Sequence, residues 1–410
     1  MPQIPLGRQA YQRDFANEIE IQCLNRFFET NPTNPEDQVS LLARPGSTPL
    51  VTTSDVGLVR GFYSHPGFFN GDLFFVTGTS MYRYTTTGTL IPISSYIENQ
   101  GQVSMTFMIG AGYEYLFITD GTLLQYYKGG VKGTSVLTVT GSITNQVIQI
   151  GANYYTWGTS PHGVAAGTAA SPWVATLGGT TAQSLQNMVN LLSFTGALGT
   201  DFSSNLGGQN PDVTAVVSGN TIVLTSKSDL SSANSIATTV YSGTGMAFGT
   251  TTITGAGVHV LYGIEMPNGL PVKSCASLAS HVLMSITGSN QFYFLRPGSL
   301  VVDPLDFATA ESQPDVLQDL VTVGDTVWMI GEGHTEAWYA TGDSLSPFQP
   351  TQGRVYDRGA VPGTAVKVKD EVIIVGFDGI VYSIGRGVQR ISHHGIEERI
   401  RTQLKRESGT

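Results

Sequence analysis

The feature that most constrains the fold of this sequence is an apolar strand that recurs five times at a nearly constant spacing. Each copy runs into a turn and then into a second short strand. The copies are DLFFVTG (72–78), EYLFITDG (114–121), HVLMSITG (281–288), DTVWMIGEG (325–333) and EVIIVGFDG (371–379). Their equivalent positions Leu73, Leu116, Leu283, Val327 and Ile373 are 43, 167, 44 and 46 residues apart. Three of these spacings match the period of about 40–45 residues that is typical of four-stranded propeller blades.

The stretch from Ala365 to Ser392 contains one complete repeat. AVKVK, VIIVG, IVYSI and VQRIS are four short strands separated by turns. We expect Asp378-Gly379 to form a type I′ turn, because Gly tolerates positive φ and Asp adopts it more readily than most residues. Such a sheet has apolar residues on both faces and needs a similar sheet on each side. The sequence therefore predicts a mainly β fold, a six-bladed β-propeller. Strands 19–29 and 39–44, joined by C-terminal strands, would supply the sixth sheet and close the ring.

The long spacing in the middle of the repeat indicates an inserted α+β domain. Residues 134–257 are rich in Ser, Thr, Gly and Ala and carry few charges. NQVIQIGANYYTW and DVTAVVSGNTIVLTSK predict hairpins, and TAQSLQNMVNLL predicts a short amphipathic helix. We divide the chain into an N-terminal arm with the first propeller part (1–133), this domain (134–257), and the second propeller part with a charged C-terminal helix (258–410).

The composition excludes several classes of protein. Charged residues make up only 13% of the chain and the net charge is −10, which does not suit a surface that grips nucleic acid. Cys23 and Cys275 are too few and too far apart for a disulfide framework or a metal cluster, so we interpret them as buried thiols. The N-terminus lacks the apolar segment of a secretory signal, and no apolar run reaches membrane-spanning length. We predict synthesis in the cytoplasm and no membrane span.

Two short motifs are candidates for functional sites. His393-His394 has only Glu397 and Glu398 nearby as further metal ligands, so we interpret the pair as part of a turn or an interface. Ser54-Asp55-Val56-Gly57 partly matches the Asp-box turn of sialidase-type propellers, but it occurs once and lacks the following Trp. Neither motif indicates a metal centre or an active site.

The acidic and aromatic residues likewise predict no active site. A glycosidase needs two carboxyl groups that converge in a cleft. The candidates Asp303, Asp306, Glu311 and Asp315 lie in a Pro-containing connector that we expect to be solvated. Tyr126-Tyr127 and Trp338-Tyr339 stand in strands and are predicted to pack between blades. We therefore predict no catalytic residue, no cofactor and no metal.

Several segments resemble the packaged-DNA stabilisation proteins of short-tailed bacteriophages, which form the tail hub or nozzle. The run Cys23-Leu24-Asn25-Arg26-Phe27-Phe28-Glu29, followed by Leu41 and Pro45-Gly46, is similar to the family's opening pattern C-x-N-x-[FY]-[FY]-E … L-x-x-x-P-G. Asp303 to Glu311 (DPLDFATAE) and Glu336-Ala337-Trp338 resemble two further family patterns. The stretch FQPTQGRVYDRGAVPG and the ending ISHHGIEERI also resemble the family. The inserted domain is similar to a small β-α-β module of phage tail and fibre proteins.

The resemblance implies a structural virion protein that is not an enzyme. Six copies would form a ring beneath the portal and its adaptor, extend and help to close the DNA channel, and retain the packaged DNA. Implied partners are other copies of the chain, head-to-tail adaptor or portal proteins, and tail fibre, tailspike or needle proteins. Double-stranded DNA would pass without specific binding. Two alternatives remain: an adhesin that binds a receptor or polysaccharide, and a propeller glycosidase.

Overall fold

A computed structural model of the chain describes residues 26–30, 39–43, 48–55, 57–93, 97, 101–110, 112–159, 165–202, 207–310 and 315–407. The chain divides into two compact units. One unit combines Met1–Lys128 with Leu261–Thr410, and the other consists of Gly129–Val260. The smaller unit thus interrupts the larger one in sequence. None of the helices in the described ranges has the length and apolar character needed to span a bilayer.

The described residues of the first part of the larger unit form nine strands. They are β1 (Arg26–Thr30), β2 (Val39–Ala43), β3 (Val59–Tyr63), β4 (Leu73–Thr77), β5 (Ser80–Tyr84), β6 (Leu90–Ile93), β7 (Ser104–Gly110), β8 (Tyr113–Thr119) and β9 (Leu124–Tyr127). β1 and β2 form a two-stranded antiparallel sheet. β3 to β6 form a four-stranded antiparallel meander, which we call blade 1.

The described residues of the smaller unit form eight strands and one α-helix. They are β10 (Thr134–Val139), β11 (Val147–Ile150), β12 (Asn153–Gly158), β13 (Trp173–Thr176), α1 (Thr181–Ser193), β14 (Val213–Ser218), β15 (Thr221–Ser226), β16 (Thr238–Ser242) and β17 (Met246–Phe248). They form two four-stranded sheets, in the orders β14-β15-β10-β17 and β13-β12-β11-β16. The two predicted hairpins are β11–β12 and β14–β15, so both predictions are confirmed.

Helix α1 packs its apolar face on these sheets. Thr180 caps the first turn, because its hydroxyl accepts a hydrogen bond from the Gln183 amide at 3.2 Å. Phe194 ends the helix in a left-handed conformation, with φ of 55°. The apolar residues of the predicted amphipathic helix, Leu185, Met188, Val189 and Leu192, are all buried in the core of this unit. The 3.6-residue periodicity therefore identified both the helix and its buried face.

The second part of the larger unit returns to short strands. They are β18 (Tyr262–Ile264), β19 (Val272–Leu278), β20 (His281–Ile286), β21 (Gln291–Leu295), β22 (Phe307–Thr309), β23 (Leu317–Val323), β24 (Thr326–Gly331), β25 (Thr335–Ala340), β26 (Phe348–Tyr356), β27 (Val366–Val368), β28 (Glu371–Val375), β29 (Val381–Ile384) and β30 (Val388–Arg390). Helix α2 (His394–Glu407) follows the last strand. Blade 2 consists of β7, β8, β9 and β18, in that order; β19–β22, β23–β26 and β27–β30 are blades 3, 4 and 5. The second and third strands of the five blades are the five hairpins predicted from the repeat.

Successive blades pack face to face, as in a β-propeller. Phe74 of blade 1 shares a core with Leu116 of blade 2, whereas the next residue, Phe117, points into the core shared with blade 3. Trp338 of blade 4 packs with blade 3, and Trp328 packs with blade 5. Because alternate residues of a strand point to opposite faces, blades that are buried on both faces have nearly continuous apolar strands. The larger unit is therefore a β-propeller, as predicted.

The count of six blades stays a prediction. The described part of the larger unit contains five four-stranded sheets and the small β1–β2 sheet. The C-terminal strands do not extend β1–β2, because β30 pairs with β29 inside blade 5. Residues 19–25 of the predicted first strand lie outside the described residues.

The turn at Asp378-Gly379 differs from the type I′ prediction. Gly379 has a φ of 73°, but Asp378 is not among the residues with positive φ. The Gly379 amide donates to the Gly376 carbonyl at 2.9 Å, and the Ile380 amide donates to the Asp378 carboxylate at 3.0 Å. This arrangement is a type I turn followed by a left-handed Gly, the usual three-residue hairpin loop. The side chain of Asp378 stabilises the loop, so positive φ is needed only at the glycine.

Candidate functional site

A cavity of about 1140 Å³ lies at the inner strands of the propeller. Its walls come mainly from the first strand of each blade, including Tyr63 of β3, Ser104 of β7, Lys273 of β19, Gln318 of β23 and Lys367 of β27. First strands line the axis because each blade places its remaining strands progressively further out. The repeat of apolar second strands predicts the propeller, but it does not predict which side chains line this cavity.

The charges in this cavity are mixed. Asp319 of β23 accepts a hydrogen bond from the Gly363 amide at 2.8 Å. Burial raises the pKa of Asp319 to about 6, against the opposing effects of the Gly363 and Ala365 amides and the charge of Lys273. Asp120 is held by the Thr122 amide and hydroxyl, at 3.0 and 2.7 Å. Acids and lysines line the same cavity, so it does not form the uniformly basic surface that binds phosphates.

The cysteine in the cavity wall is not an activated nucleophile. Burial raises the pKa of the Cys275 thiol to about 12, although a hydrogen bond with Ser104 opposes the shift. The Cys275 amide donates to the Ser104 hydroxyl at 3.0 Å. Because the thiolate is the reactive species, this thiol is inert near neutral pH. Cys275 is thus the buried thiol that we predicted, whereas Cys23 lies outside the described residues.

The acidic connector does not form a catalytic pair. Arg296 donates to both oxygens of Asp306, at 2.7 and 2.6 Å. The carboxylate of Asp315 accepts hydrogen bonds from the backbone amides of residues 332–334. Asp303 accepts one from the Leu305 amide at 2.9 Å. Asp306 is buried, so the expectation of a solvated connector is wrong there, because the arginine compensates its charge. Glu311 lies outside the described residues.

The two motifs have structural roles. Asp55 accepts hydrogen bonds from the amides of Gly57 and Thr79, at 3.1 and 3.3 Å, and so ties the entry to blade 1 to the β4–β5 turn. His394 begins α2, and the nearby Glu397 carboxylate is engaged by Arg390 and Ser392. No group of three or more His, Cys, Asp or Glu side chains in the described part of the chain is placed to hold a metal ion.

The two aromatic pairs confirm the predicted packing between blades only in part. Tyr127 and Trp338 are buried between blades. Tyr126 is half-buried and stacks on Tyr262 with 5.3 Å between ring centroids. Tyr339 is 41% exposed, so its predicted interblade packing is wrong, because it follows Trp338 on the strand and points the other way.

One unusual side chain was missed in the sequence. Glu336 of β25 is only 6% exposed, and neither of its carboxylate oxygens has a hydrogen-bond partner. It borders a cavity of about 20 Å³ that Asp315 and His334 also line. A buried carboxylate without a partner is energetically costly. The sequence signal was a single acidic residue inside the strand TEAWYA, where alternation places it on the same face as Trp338.

Part of this propeller matches a known protein family. Residues 298–407 match the family model described as Bacteriophage P22 Gp10, beta-propeller. This match confirms the resemblance to the phage DNA-stabilisation family. It covers about a quarter of the chain, from the connector after β21 through blades 4 and 5 to α2. The family is that of a structural phage protein, which suggests a virion component.

Solved structures with similar architecture are distant. The extracellular domain of the two-component system protein BT4673 from B. thetaiotaomicron is 10% identical, with 83% of this chain and 34% of that chain covered and a TM-score of 0.29. The Cps50 (Swd1) β-propeller domain of Myceliophteria thermophila is 8% identical, with coverages of 84% and 88% and a TM-score of 0.28. BamB from Moraxella catarrhalis is 9% identical, with coverages of 83% and 70% and a TM-score of 0.24. No curated protein sequence matches this chain.

Proposed function

We propose that this chain is a bacteriophage tail protein that forms a ring of six copies below the portal and its adaptor. In this role the ring extends the DNA channel, helps to close it and retains the packaged DNA. It also anchors distal tail parts such as fibre, tailspike or needle proteins. The match of residues 298–407 to the P22 Gp10 propeller family is the observation that carries the proposal.

The physical character of the chain supports this role. A net charge of −10 disfavours tight binding to phosphates, so double-stranded DNA can pass during ejection without being gripped. Retention then depends on steric closure of the channel. The propeller is a rigid scaffold whose loops and outer strands offer broad surfaces to neighbours. The candidate acids Asp303, Asp306 and Asp315 are engaged in loop and ion-pair contacts, which supports a structural role rather than glycoside hydrolysis.

The test is the mass of the purified full-length chain, alone and after mixing with portal–adaptor complexes, by native mass spectrometry. We expect a monomer alone and six copies on the adaptor. A chain that ignores the adaptor, or that binds it in a single copy, would overturn the ring.

One observation favours a second candidate, an adhesin that uses the smaller unit. Val136, Val223 and Val216 lie opposite one another on β10, β15 and β14, and Val216 is 66% exposed. The row is flanked by Thr and Ser residues without charges, which gives an open face able to contact a receptor. Binding of the purified chain to host cells in the absence of other tail parts would favour this function. Binding that needs the remaining tail proteins would favour the ring.

A further inference from the structure

We propose that two surfaces of this chain bind each other between neighbouring copies. The first surface, the acidic loops, comprises residues 299–306 after blade 3's third strand and residues 341–346 after blade 4's third strand. The second, the basic surface, comprises residues 386–406 on blade 5 and α2. The inference rests on the proposed ring and identifies the contact that would build it.

The acidic loops expose large apolar side chains on backbone that is held by hydrogen bonds. The exposed fractions are 78% for Val301, 82% for Leu305 and 87% for Leu345. The Leu305 amide donates to Asp303 at 2.9 Å, and the Leu345 amide donates to Asp343 at 2.7 Å. Each leucine is thus held by an acid two residues earlier in the chain. Apolar residues that are ordered before binding lose less conformational entropy when a partner covers them.

Arg296 holds the two loops together. It donates to both oxygens of the buried Asp306, at 2.7 and 2.6 Å, and to the Ser344 carbonyl at 3.3 Å. Leu305 and Leu345 are the sequence neighbours of these two acceptors, so both lie on one patch. Because Arg296 compensates Asp306, the exposed acids Asp303 and Asp343 set the charge of the patch.

The basic surface has the complementary character. Six of the chain's 21 Lys and Arg residues lie in it: Arg386, Arg390, Arg399, Arg401, Lys405 and Arg406. Only Glu397 and Glu398 oppose them in the same range, and Glu397 is buried. Exposed apolar residues accompany the charges, with Val388 at 37%, Ile391 at 48% and Ile396 at 44%. The surface is therefore basic and partly apolar in a chain that is acidic overall.

Charge complementarity indicates that the partner of each surface is a second copy of this chain. Copies that each carry a net charge of −10 repel one another, except where opposite charges face each other. The acidic loops and the basic surface meet this condition, and their leucines and isoleucines supply apolar area. Because the two surfaces lie on different blades, the contact is head-to-tail. Head-to-tail contacts that close on themselves generate a ring.

The test uses two full-length variants that keep the loop acids in place. The first, Leu305→Lys/Leu345→Lys, places positive charge opposite the basic surface. The second, Arg386→Glu/Arg399→Glu, places negative charge opposite the acidic loops. Leu58→Lys is the matched control, because Leu58 is 87% exposed on the entry to blade 1. Thermal unfolding of each variant verifies that it folds.

The readout is the number of copies bound per portal–adaptor complex as a function of protein concentration. We expect each variant alone to need at least about tenfold more protein than wild type for half-occupancy. An equimolar mixture of the two variants should regain the wild-type concentration for half-occupancy, because the lysines of one variant then face the glutamates of the other. The Leu58→Lys variant should match wild type.

The experiment distinguishes a wrong contact between copies from a wrong ring. If wild type binds in several copies and both variants do the same, the contact is wrong and the ring stands. If both variants fail and their mixture also fails, the two surfaces bind other tail proteins rather than each other. If wild type binds in a single copy, the ring itself is wrong and the inference falls with it.

Discussion

Arg390 and Glu397 form a two-point ion pair that fastens α2 to the last strand of blade 5. The Arg390 Nε donates to Oε1 at 2.7 Å and Nη2 donates to Oε2 at 2.6 Å. Ser392 donates to the same carboxylate at 2.7 Å. Glu397 is 1% exposed, so its charge depends on these donors.

The first prediction concerns loss of this ion pair. Arg390→Ala should destabilise the docking of α2 by about 1–2 kcal/mol, because a buried carboxylate loses its main partner while the half-exposed arginine is screened by solvent. Hydrogen exchange of residues 394–407 measures the effect. Arg399→Ala, an exposed change on the same helix, should stay within about 0.5 kcal/mol of wild type. Equal protection in both variants would contradict the role of the pair.

The second prediction is that the same contact is weakened at acid pH. Burial disfavours the ionised form of Glu397, but hydrogen bonds from Ser392 and Arg390 and the charges of Arg390 and Arg401 outweigh it, so the pKa of Glu397 is lowered. A lowered pKa in the folded state stabilises the protein above the unfolded value of about 4.3, and this stabilisation is lost as the pH falls through the folded pKa. Exchange protection of α2 in wild type should therefore decrease below about pH 4. In the Arg390→Ala variant this decrease should be smaller.

The third prediction has the opposite sign and concerns Asp319 in the propeller cavity. Its pKa of about 6 lies above the unfolded value of about 3.9, so its contribution to stability is greatest below that value and is lost as the pH rises through 6. Asp319→Asn keeps an acceptor for the Gly363 amide and removes the cost of the buried charge. It should raise the free energy of unfolding by about 1–2 kcal/mol near pH 8, and change it little near pH 4.

Asp343 provides the control for this prediction. Hydrogen bonds from the Ser346 and Leu345 amides lower the pKa of Asp343. Asp343→Asn should therefore lower stability or leave it unchanged near neutral pH, because it weakens two hydrogen bonds to an exposed carboxylate. A stability gain for Asp319→Asn that is independent of pH would contradict the assignment of the effect to its charge.

The fourth prediction concerns the buried carboxylate of Glu336. Glu336→Gln retains the shape of the side chain and removes a charge that has no hydrogen-bond partner. We expect the free energy of unfolding to increase by about 1–3 kcal/mol, measured by denaturant unfolding. Glu332→Gln, at an exposed site, should change it by less than about 0.5 kcal/mol. Loss of stability in Glu336→Gln would show that the carboxylate serves a bound group or a partner protein.

The fifth prediction is that the smaller unit can be removed. The insertion lies between β9 and β18, which are paired strands with Tyr126 opposite Tyr262. Replacing residues 129–260 with an Asn-Gly turn should therefore leave a hairpin at this site of blade 2. Calorimetry should show cooperative unfolding for this variant and for residues 129–260 alone, because each unit has its own core. An unfolded deletion variant would contradict this independence.

The sequence predicts the two middle strands of each blade well and the outermost strand poorly. The second and third strands are apolar runs joined by short turns, so the repeat from Leu73 to Ile373 located them. Outer strands such as β18 and β22 are only three residues long, and their pairing depends on neighbouring strands rather than on their own composition. The fourth strand of blade 2 was not predicted, because β18 follows β9 only after the inserted unit.

The candidate site was less predictable because burial and pairing depend on contacts distant in sequence. Asp306 lies in a Pro-containing connector typical of a solvated loop, yet it is buried because Arg296 pairs with its carboxylate. Glu336 is a single acidic residue in the strand TEAWYA, and nothing local in the sequence shows that its face packs between blades 3 and 4. The joining of the two acidic loops follows from one hydrogen bond, from Arg296 to Ser344, which no local pattern encodes.

The most direct test of the central claim is the DNA content of phage particles assembled without this protein. We expect such particles to package DNA and then lose it, and to retain it when the purified chain is added after packaging. Particles that retain their DNA without the protein would contradict its role in stabilising the packaged genome.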